Sequence, residues 1–145
     1  MMTTKTLGTF LILPLVAAAA PAVRSNMLVT TDWLSQHLND PKIVVLHISG
    51  NRNAYDAGHI PGARFIAMSD LAITRDGIPN ELPAVADLKK LFEGVGVSDD
   101  SRVILYSDAS ALPATRGYFT FDYLGHGDQA ALLDGGLEKW RSEGR

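Results

Sequence analysis

The loop after the apolar segment 103–106 is where the sequence first suggests chemistry. That segment is typical of a strand buried on both faces, and residues 107–111 after it are small or polar. Pro113 fits the first turn of a following helix, where a missing N–H costs nothing. Open α/β sheets bind ligands where a strand ends and the N–H groups of a helix point toward the ligand. We therefore predict the functional site in this loop.

The residue types in the chain limit what this loop can do. The sequence contains no cysteine, which excludes disulfide bonds, thiolate metal sites and cysteine nucleophiles. Ser107 and Asp108 could act with a histidine as a hydrolase centre, but the sequence has no G-x-S-x-G turn to expose such a serine. The four histidines show no metal-ligand spacing. We therefore interpret Ser107 and Asp108 as a polar loop and predict neither a metal nor another cofactor.

Composition and charge favour one globular domain. Of the 145 residues, 46% are hydrophobic and 20% are charged, which is enough apolar surface for a core. The net charge of −3 and the lack of a Lys/Arg run give no electrostatic footprint for nucleic acid. We therefore predict no nucleic-acid partner.

The first 22 residues have the pattern of a signal peptide. Lys5 precedes an apolar run at 7–22 that is too short and too interrupted to predict a stable membrane span. Its alanine-rich end predicts cleavage at about residues 19–22 and export to the periplasm or the extracellular space. An uncleaved anchor helix is the alternative. N-terminal sequencing of the mature protein tests this prediction, and an intact Met1 in a soluble cytoplasmic fraction would contradict it.

Helices and strands alternate along the rest of the chain. Short apolar runs between turn-forming residues predict strands at 43–48, 64–67, 103–106 and 130–133. Apolar spacing and capping residues predict helices from Thr30 or Thr31 to 40, and at 54–57, 83–93, 113–124 and 137–143. Glycines and prolines predict a type II turn at Pro61–Gly62 and a loop at 76–79. The alternation indicates an α/β domain over residues 27–145 with a mainly parallel sheet.

One segment resembles a known family. Residues 55–66, Tyr-Asp-Ala-Gly-His-Ile-Pro-Gly-Ala-Arg-Phe-Ile, are similar to the signature of rhodanese domains, the thiosulfate sulfurtransferase family. The resemblance extends over residues 27–145 and implies a parallel five-stranded sheet flanked by helices. It also implies a structural role for five signature residues, Tyr55, Gly58, His59, Pro61 and Gly62. We expect His59 to order the signature turn through hydrogen bonds.

The same resemblance identifies a missing nucleophile. Active members of the family carry a cysteine after the strand that corresponds to 103–106, and this cysteine accepts a sulfane sulfur as a persulfide. The matching residue is Ser107, or Asp108 if the loop is shifted by one. Neither side chain can replace a thiolate, which is a soft nucleophile present near neutral pH. The loop also lacks glycine, so a ring of N–H groups around an anion is harder to form. We therefore predict no catalytic residue in this chain.

Tandem members of the family offer an explanation. Their first rhodanese domain commonly lacks the cysteine that the second one carries, and residues 114–126 and 133–136 look like parts of such a first domain. We therefore expect a fragment of a tandem thiosulfate or 3-mercaptopyruvate sulfurtransferase, namely its non-catalytic N-terminal domain, partnered by a second rhodanese domain or by self-association. The alternative is a non-enzymatic rhodanese module that binds a small sulfur-containing anion, a peptide or another protein.

Four residues are candidates for contacts with an anion or a second domain: Ser107, Asp108, Ser110 and Arg116. We favour a second interpretation of Arg116, a structural brace paired with an acidic neighbour. His47 and Ser49 stand where the family usually has Asp and Arg, so we expect Arg52 to pair with Asp56 instead. We interpret His47 as a core or rim histidine bonded to a backbone carbonyl.

The helix predicted at 113–124 has more aromatic residues than one core can accept. Tyr118, Phe119, Phe121 and Tyr123 cannot all point inward from one helix. We therefore expect part of this helix to present an apolar surface to a partner.

Overall fold

The computed structural model describes residues 26–145. The predicted signal peptide and its cleavage site lie outside this range. Among the described helices, none has the length and apolar character needed to cross a membrane.

The described chain forms one parallel sheet, one small hairpin and five helices. In chain order the elements are β1 (Leu28–Val29), α1 (Thr31–His37), β2 (Ile43–Ser49), α2 (Arg52–Ala57), β3 (Arg64–Ala67), β4 (Ile73–Arg75), β5 (Ile78–Glu81), α3 (Val85–Gly94), β6 (Arg102–Tyr106), α4 (Leu112–Tyr123), β7 (Ala130–Leu133) and α5 (Gly136–Ser142). Single 3₁₀ turns lie at Met68–Asp70 and Gly127–Gln129.

The main sheet confirms the predicted fold class. Its five strands are all parallel and lie in the order β1-β7-β6-β2-β3. Four of them are the predicted strands. The fifth, β1, has only two residues and was not predicted from the sequence. It pairs with β7 through the register Leu28↔Leu132 and Val29↔Leu133.

Both faces of the sheet are covered by helices, which explains why the central strands are apolar throughout. One core lies under α3 and α4 and is built from residues such as Leu46, Ile48, Leu88, Leu105 and Phe121. The other lies under α1 and α5 and is built from residues such as Leu34, Val45, Ile104, Leu137 and Trp140. Successive residues of β2 and β6 alternate between the two cores, as the side-chain period of a strand requires.

The segment 73–81 differs from the prediction. Only a loop at 76–79 was predicted there, whereas β4 and β5 form an antiparallel hairpin. Asp76 and Gly77, with φ angles of 52° and 79°, lie at its turn. Asp-Gly between two short strands favours the type I′ turn of a hairpin, because both residues tolerate positive φ and the turn matches the strand twist. Pro79 stays within β5, which is tolerated because this sheet has only two edge strands.

Candidate functional site

The loop 107–111 leaves β6 at the carboxyl edge of the sheet, between the ends of β2 and β7. It lines an open cavity of about 310 Å³. The opposite wall consists of the turn before α5 and the adjoining strand ends, namely Leu28, Leu132, Leu133, Asp134, Gly135, Gly136 and Glu138. Of the four contact candidates, the structure places Ser107, Asp108 and Ser110 together here.

The charge of the cavity is unfavourable for an anion. Asp108, Asp134 and Glu138 contribute to its wall, whereas no Lys, Arg or His is among the residues that line it. Lys139, which is not among the lining residues, lies with its Nζ 3.1 Å from Asp134 Oδ2. An anion entering the cavity would therefore meet carboxylates rather than cations.

Ser107 is held by the loop itself. Its side chain is only 3% exposed, and its hydroxyl donates a hydrogen bond to the carbonyl oxygen of Ser110. Its own carbonyl accepts from the N–H of Leu137 at 3.3 Å, where α5 begins. A side chain at Gly136 would bring a Cβ to 3.2 Å from this carbonyl, so glycine permits the close approach of α5. The hydroxyl thus points into the loop and no base lies in hydrogen-bond contact with it.

Arg116 lies apart from this cavity. Its Nε and Nη2 donate to the carbonyl of Leu71 at 3.1 and 2.9 Å, and Nη2 also donates to the carbonyl of Asn80 at 2.9 Å. It therefore braces α4 against the hairpin, with backbone carbonyls in place of the acidic neighbour that we expected. Arg116 is therefore not part of the loop site.

The signature segment forms a structural turn between α2 and β3. The Tyr55 hydroxyl donates to the carbonyl of Ala63 at 2.7 Å, and His59 Nδ1 lies 2.9 Å from the carbonyl of Tyr55. The rings of Tyr55 and His59 stack with centroids 3.9 Å apart.

The rest of the turn is tied to α5. Gly62, after Pro61, has the positive φ of 76° that the predicted type II turn needs. The carbonyl of Gly58 accepts from Arg141 Nη2 at 2.9 Å. Tyr55 thus lies in α2 and the other four signature residues in the turn that follows it, and none of the five lines the cavity at Ser107.

His47 has an environment that the sequence did not reveal. It is fully buried on β2, yet neither ring nitrogen has a hydrogen-bond partner, so the expected backbone carbonyl is not there. Its Nε2 lies 3.8 Å from Asp108 Oδ1. Asp108 also accepts a hydrogen bond from the Ser49 hydroxyl at 3.3 Å, and Ser49 Oγ accepts from the N–H of Asn51. The loop after β6 is therefore linked to the end of β2 through the carboxylate of Asp108.

Burial lowers the pKa of His47 below its ordinary value of 6.5, although the Asp108 carboxylate acts in the opposite direction. This cluster results from the register that pairs His47 with Tyr106, because the residues that follow in the two strands then lead to Ser49 and Asp108. Arg52 has the partner that we expected, with Nε 3.2 Å from Asp56 Oδ1 in an exposed pair.

This lowered pKa predicts a loss of stability in mild acid. The unfolded chain takes up a proton at His47 more readily than the folded chain, so the free energy of unfolding should fall as the pH drops below about 6.5. Each unit of pKa difference corresponds to about 1.4 kcal/mol. Urea denaturation of the wild type and of His47→Leu, each near pH 7.5 and near pH 5.5, measures this loss of stability.

The His47→Leu variant should lose less stability on acidification than wild type. Its stability near neutral pH should change little, because the two unpartnered nitrogens contribute no hydrogen bond there. Equal acid losses in the two proteins would contradict the assignment to His47.

Within residues 26–145, no group of three or more histidine and acidic side chains is placed to hold a metal ion.

Comparisons with known proteins agree with this architecture. Residues 30–143 match the model of the rhodanese-like domain. The sulfur carrier protein TtuD of Thermus thermophilus is 41% identical over 123 residues, which cover 83% of this chain and 41% of the relative. A protein of Saccharopolyspora erythraea named as a thiosulfate sulfurtransferase is 36% identical over 122 residues, covering 84% of this chain and 42% of the relative.

Solved structures lead to the same family. SseA from Escherichia coli, described as a 3-mercaptopyruvate sulfotransferase of rhodanese fold, superposes with a TM-score of 0.71 at 26% identity over 83% of this chain and 50% of its own. The chain spans less than half the length of the curated relatives named above. Over the residues that form the sheet, its helices and the loop at Ser107, this chain belongs to the rhodanese-like domain family.

Proposed function

We propose that this chain is the non-catalytic N-terminal domain of a tandem sulfurtransferase. In that protein a second rhodanese domain with a cysteine would move sulfane sulfur from thiosulfate or 3-mercaptopyruvate to cyanide or a thiol. The observation that carries the proposal is the buried Ser107 at the end of β6, in a chain without any cysteine. The relatives support it, because they are more than twice as long as the segment that they share with this chain and include a protein named as a thiosulfate sulfurtransferase.

The cavity at the loop favours this function over an anion-binding module. Asp108, Asp134 and Glu138 give its wall a negative charge, and thiosulfate is itself a dianion. A small sulfur-containing anion would therefore be bound by the second domain, with this domain forming one side of the cleft. The second candidate function is a stand-alone module that binds a protein or peptide, because one surface of the domain is apolar.

That surface lies on α4 and is called the α4 face here. It comprises Leu112, Phe119 and Tyr123, which are 67%, 52% and 56% exposed. Phe121 and Tyr118 of the same helix pack inward, so the helix divides its aromatic residues between the core and the solvent, as the sequence predicted. Interfaces between domains of one chain typically cover about 600–1,500 Å². We propose that the α4 face is the surface that contacts the second domain.

The size of the native protein tests the proposal. An antibody raised against residues 26–145 should detect, in the source cells, a protein well above the 15.6 kDa of this chain. Its sulfurtransferase activity should be abolished by iodoacetamide, since the reactive thiol must lie outside this chain. A native protein near 15.6 kDa that binds a protein partner would instead support the stand-alone module.

Because the α4 face is exposed, we predict that the isolated chain self-associates. Exposed apolar surface that lacks its partner should pair with itself, so the weight-average sedimentation coefficient should rise with concentration. The double variant Phe119→Ser/Tyr123→Ser should shift the association to higher concentration by about thirtyfold or more, since each large apolar side chain contributes of order 1 kcal/mol at an interface and about 1.4 kcal/mol is a factor of ten.

Ile78→Ser is the matched control, because Ile78 is 57% exposed on β5 and belongs neither to the α4 face nor to the wall of the loop cavity. It should associate like wild type. A wild-type chain that remains a monomer at high concentration and binds no hydrophobic dye would show that residues 27–145 form an independent module.

A further inference from the structure

The contact between His47 and Asp108 joins a fully buried group to a partly exposed one. His47 is 0% exposed on β2, whereas the side chain of Asp108 is 31% exposed on the loop after β6. Their closest atoms, Nε2 and Oδ1, are 3.8 Å apart, which is longer than a hydrogen bond. A neutral imidazole in this position leaves both of its nitrogens unsatisfied. The two side chains are therefore in contact without a hydrogen bond between them.

The surroundings of His47 offer a single acid to balance a charge on its ring. The groups that face it or act on it from the packed elements are Tyr55, Phe65, Tyr106, Asp108, His59 and Arg141. His59 and Arg141 disfavour a charge on His47, and Asp108 favours it. Burial raises the pKa of the Tyr106 phenol above its ordinary value, so this ring stays neutral. A buried imidazolium is tolerated only with a hydrogen-bonded partner of opposite charge, and Asp108 is the group within reach.

We propose that His47 and Asp108 form a proton-dependent latch: protonation of His47 draws the Asp108 carboxylate onto the imidazolium and holds the loop 107–111 against the end of β2. A movement of about 1 Å converts the present separation into a charge-assisted hydrogen bond, whose usual length is about 2.8 Å. The proton comes from solvent and stays on the ring, so no other group changes its charge. This inference goes beyond the proposed function and does not depend on a second domain.

The loop is built to follow Asp108. Ser107 and Ser110 are joined by the hydrogen bond from the Ser107 hydroxyl, and the N–H of Leu112 donates to Ser110 Oγ at 3.3 Å. These hydrogen bonds join Ser107 to Ser110 and to Leu137 of α5, so a shift of Asp108 would be transmitted to its neighbours in the loop. The latch closes in acid and opens toward neutral pH, so the loop and the cavity that it lines differ between the two states.

Titration of the purified chain by NMR from about pH 8 to about pH 5 tests the latch, because histidine protonation falls in this range. We expect the backbone amides of residues 108–111 to shift with the same midpoint as the ring of His47. In Asp108→Asn, which removes the counter-charge at a partly exposed position and should fold normally, the His47 ring should titrate at lower pH. The shared midpoint should then be lost from the loop amides.

His126→Gln is the matched control, since it removes an exposed histidine on the far side of α4. It should leave the loop titration unchanged. The proposal is overturned if the loop amides do not follow His47 in the wild-type protein, if they titrate alike in wild type and Asp108→Asn, or if His47 stays neutral until the chain unfolds.

Discussion

The purified 145-residue chain, given thiosulfate and cyanide, is expected to form no thiocyanate above a buffer blank. The reaction needs a thiolate that attacks the outer sulfur of thiosulfate, forms a persulfide and releases sulfite. This chain has no thiol, and Ser107 is buried with its hydroxyl turned to Ser110. An alkoxide does not form there to any useful extent, since no base contacts this hydroxyl. Thiocyanate production that persists after contaminating host enzyme has been excluded would contradict this expectation.

The Ser107→Cys variant tests whether the chain lacks only the nucleophile or also a loop that can bind and activate the substrate. We expect at most slight activity, because the new thiol would lie in a nearly closed position beside the Asp108 carboxylate, which raises a thiol pKa and repels thiosulfate. Ser110→Cys is the matched control, with a thiol at an exposed position of the same loop. Activity of Ser107→Cys close to that of a natural family member would show that only the nucleophile had been lost.

The main sheet could be predicted because its strands have strong local signals. The segments at β2, β6 and β7 are short apolar runs between turn formers, and both faces of each are buried as such runs require. β1 has two residues, and its position depends on pairing with β7, which is more than a hundred residues away. No local pattern distinguishes so short a strand from a loop. The hairpin was missed for another reason, since Asp76–Gly77 was interpreted as a loop although it favours a type I′ turn.

The location of the site could be predicted from the sequence, but the contacts between its side chains could not. The end of β6 followed from the strand, the loop and Pro113, and the structure brings Ser107, Asp108 and Ser110 together there. The link from Asp108 to His47 depends on the register of β2 against β6, which the sequence alone does not define. Arg116 was ambiguous because a guanidinium can donate to both carbonyls and carboxylates, and only the position of the hairpin decides which it meets.

The division of α4 into a core face and an outer face gives the largest expected effect on stability. Phe121 is 2% exposed and packs against Phe92 of α3 with ring centroids 4.3 Å apart. Phe121→Ala should lower the free energy of unfolding by about 3–5 kcal/mol, because it removes a buried ring and leaves a cavity between α3 and α4. A domain of this size is usually stable by only about 5–15 kcal/mol, so the variant should lose a large fraction of its stability.

Phe119→Ala is the matched control two residues earlier on the same helix. Its side chain is 52% exposed, so urea denaturation should show a change within about 0.5 kcal/mol. Denaturation at low protein concentration, where the α4 face is not self-associated, reports stability alone, and sedimentation at high concentration reports association, so the two variants separate the two properties. Phe121→Ala should lower the denaturation midpoint without removing association of the molecules that remain folded, whereas Phe119→Ala should weaken association with little change in the midpoint. A large loss of stability in Phe119→Ala would show that this ring packs into the domain itself. The proposal that the α4 face binds a partner would then be contradicted.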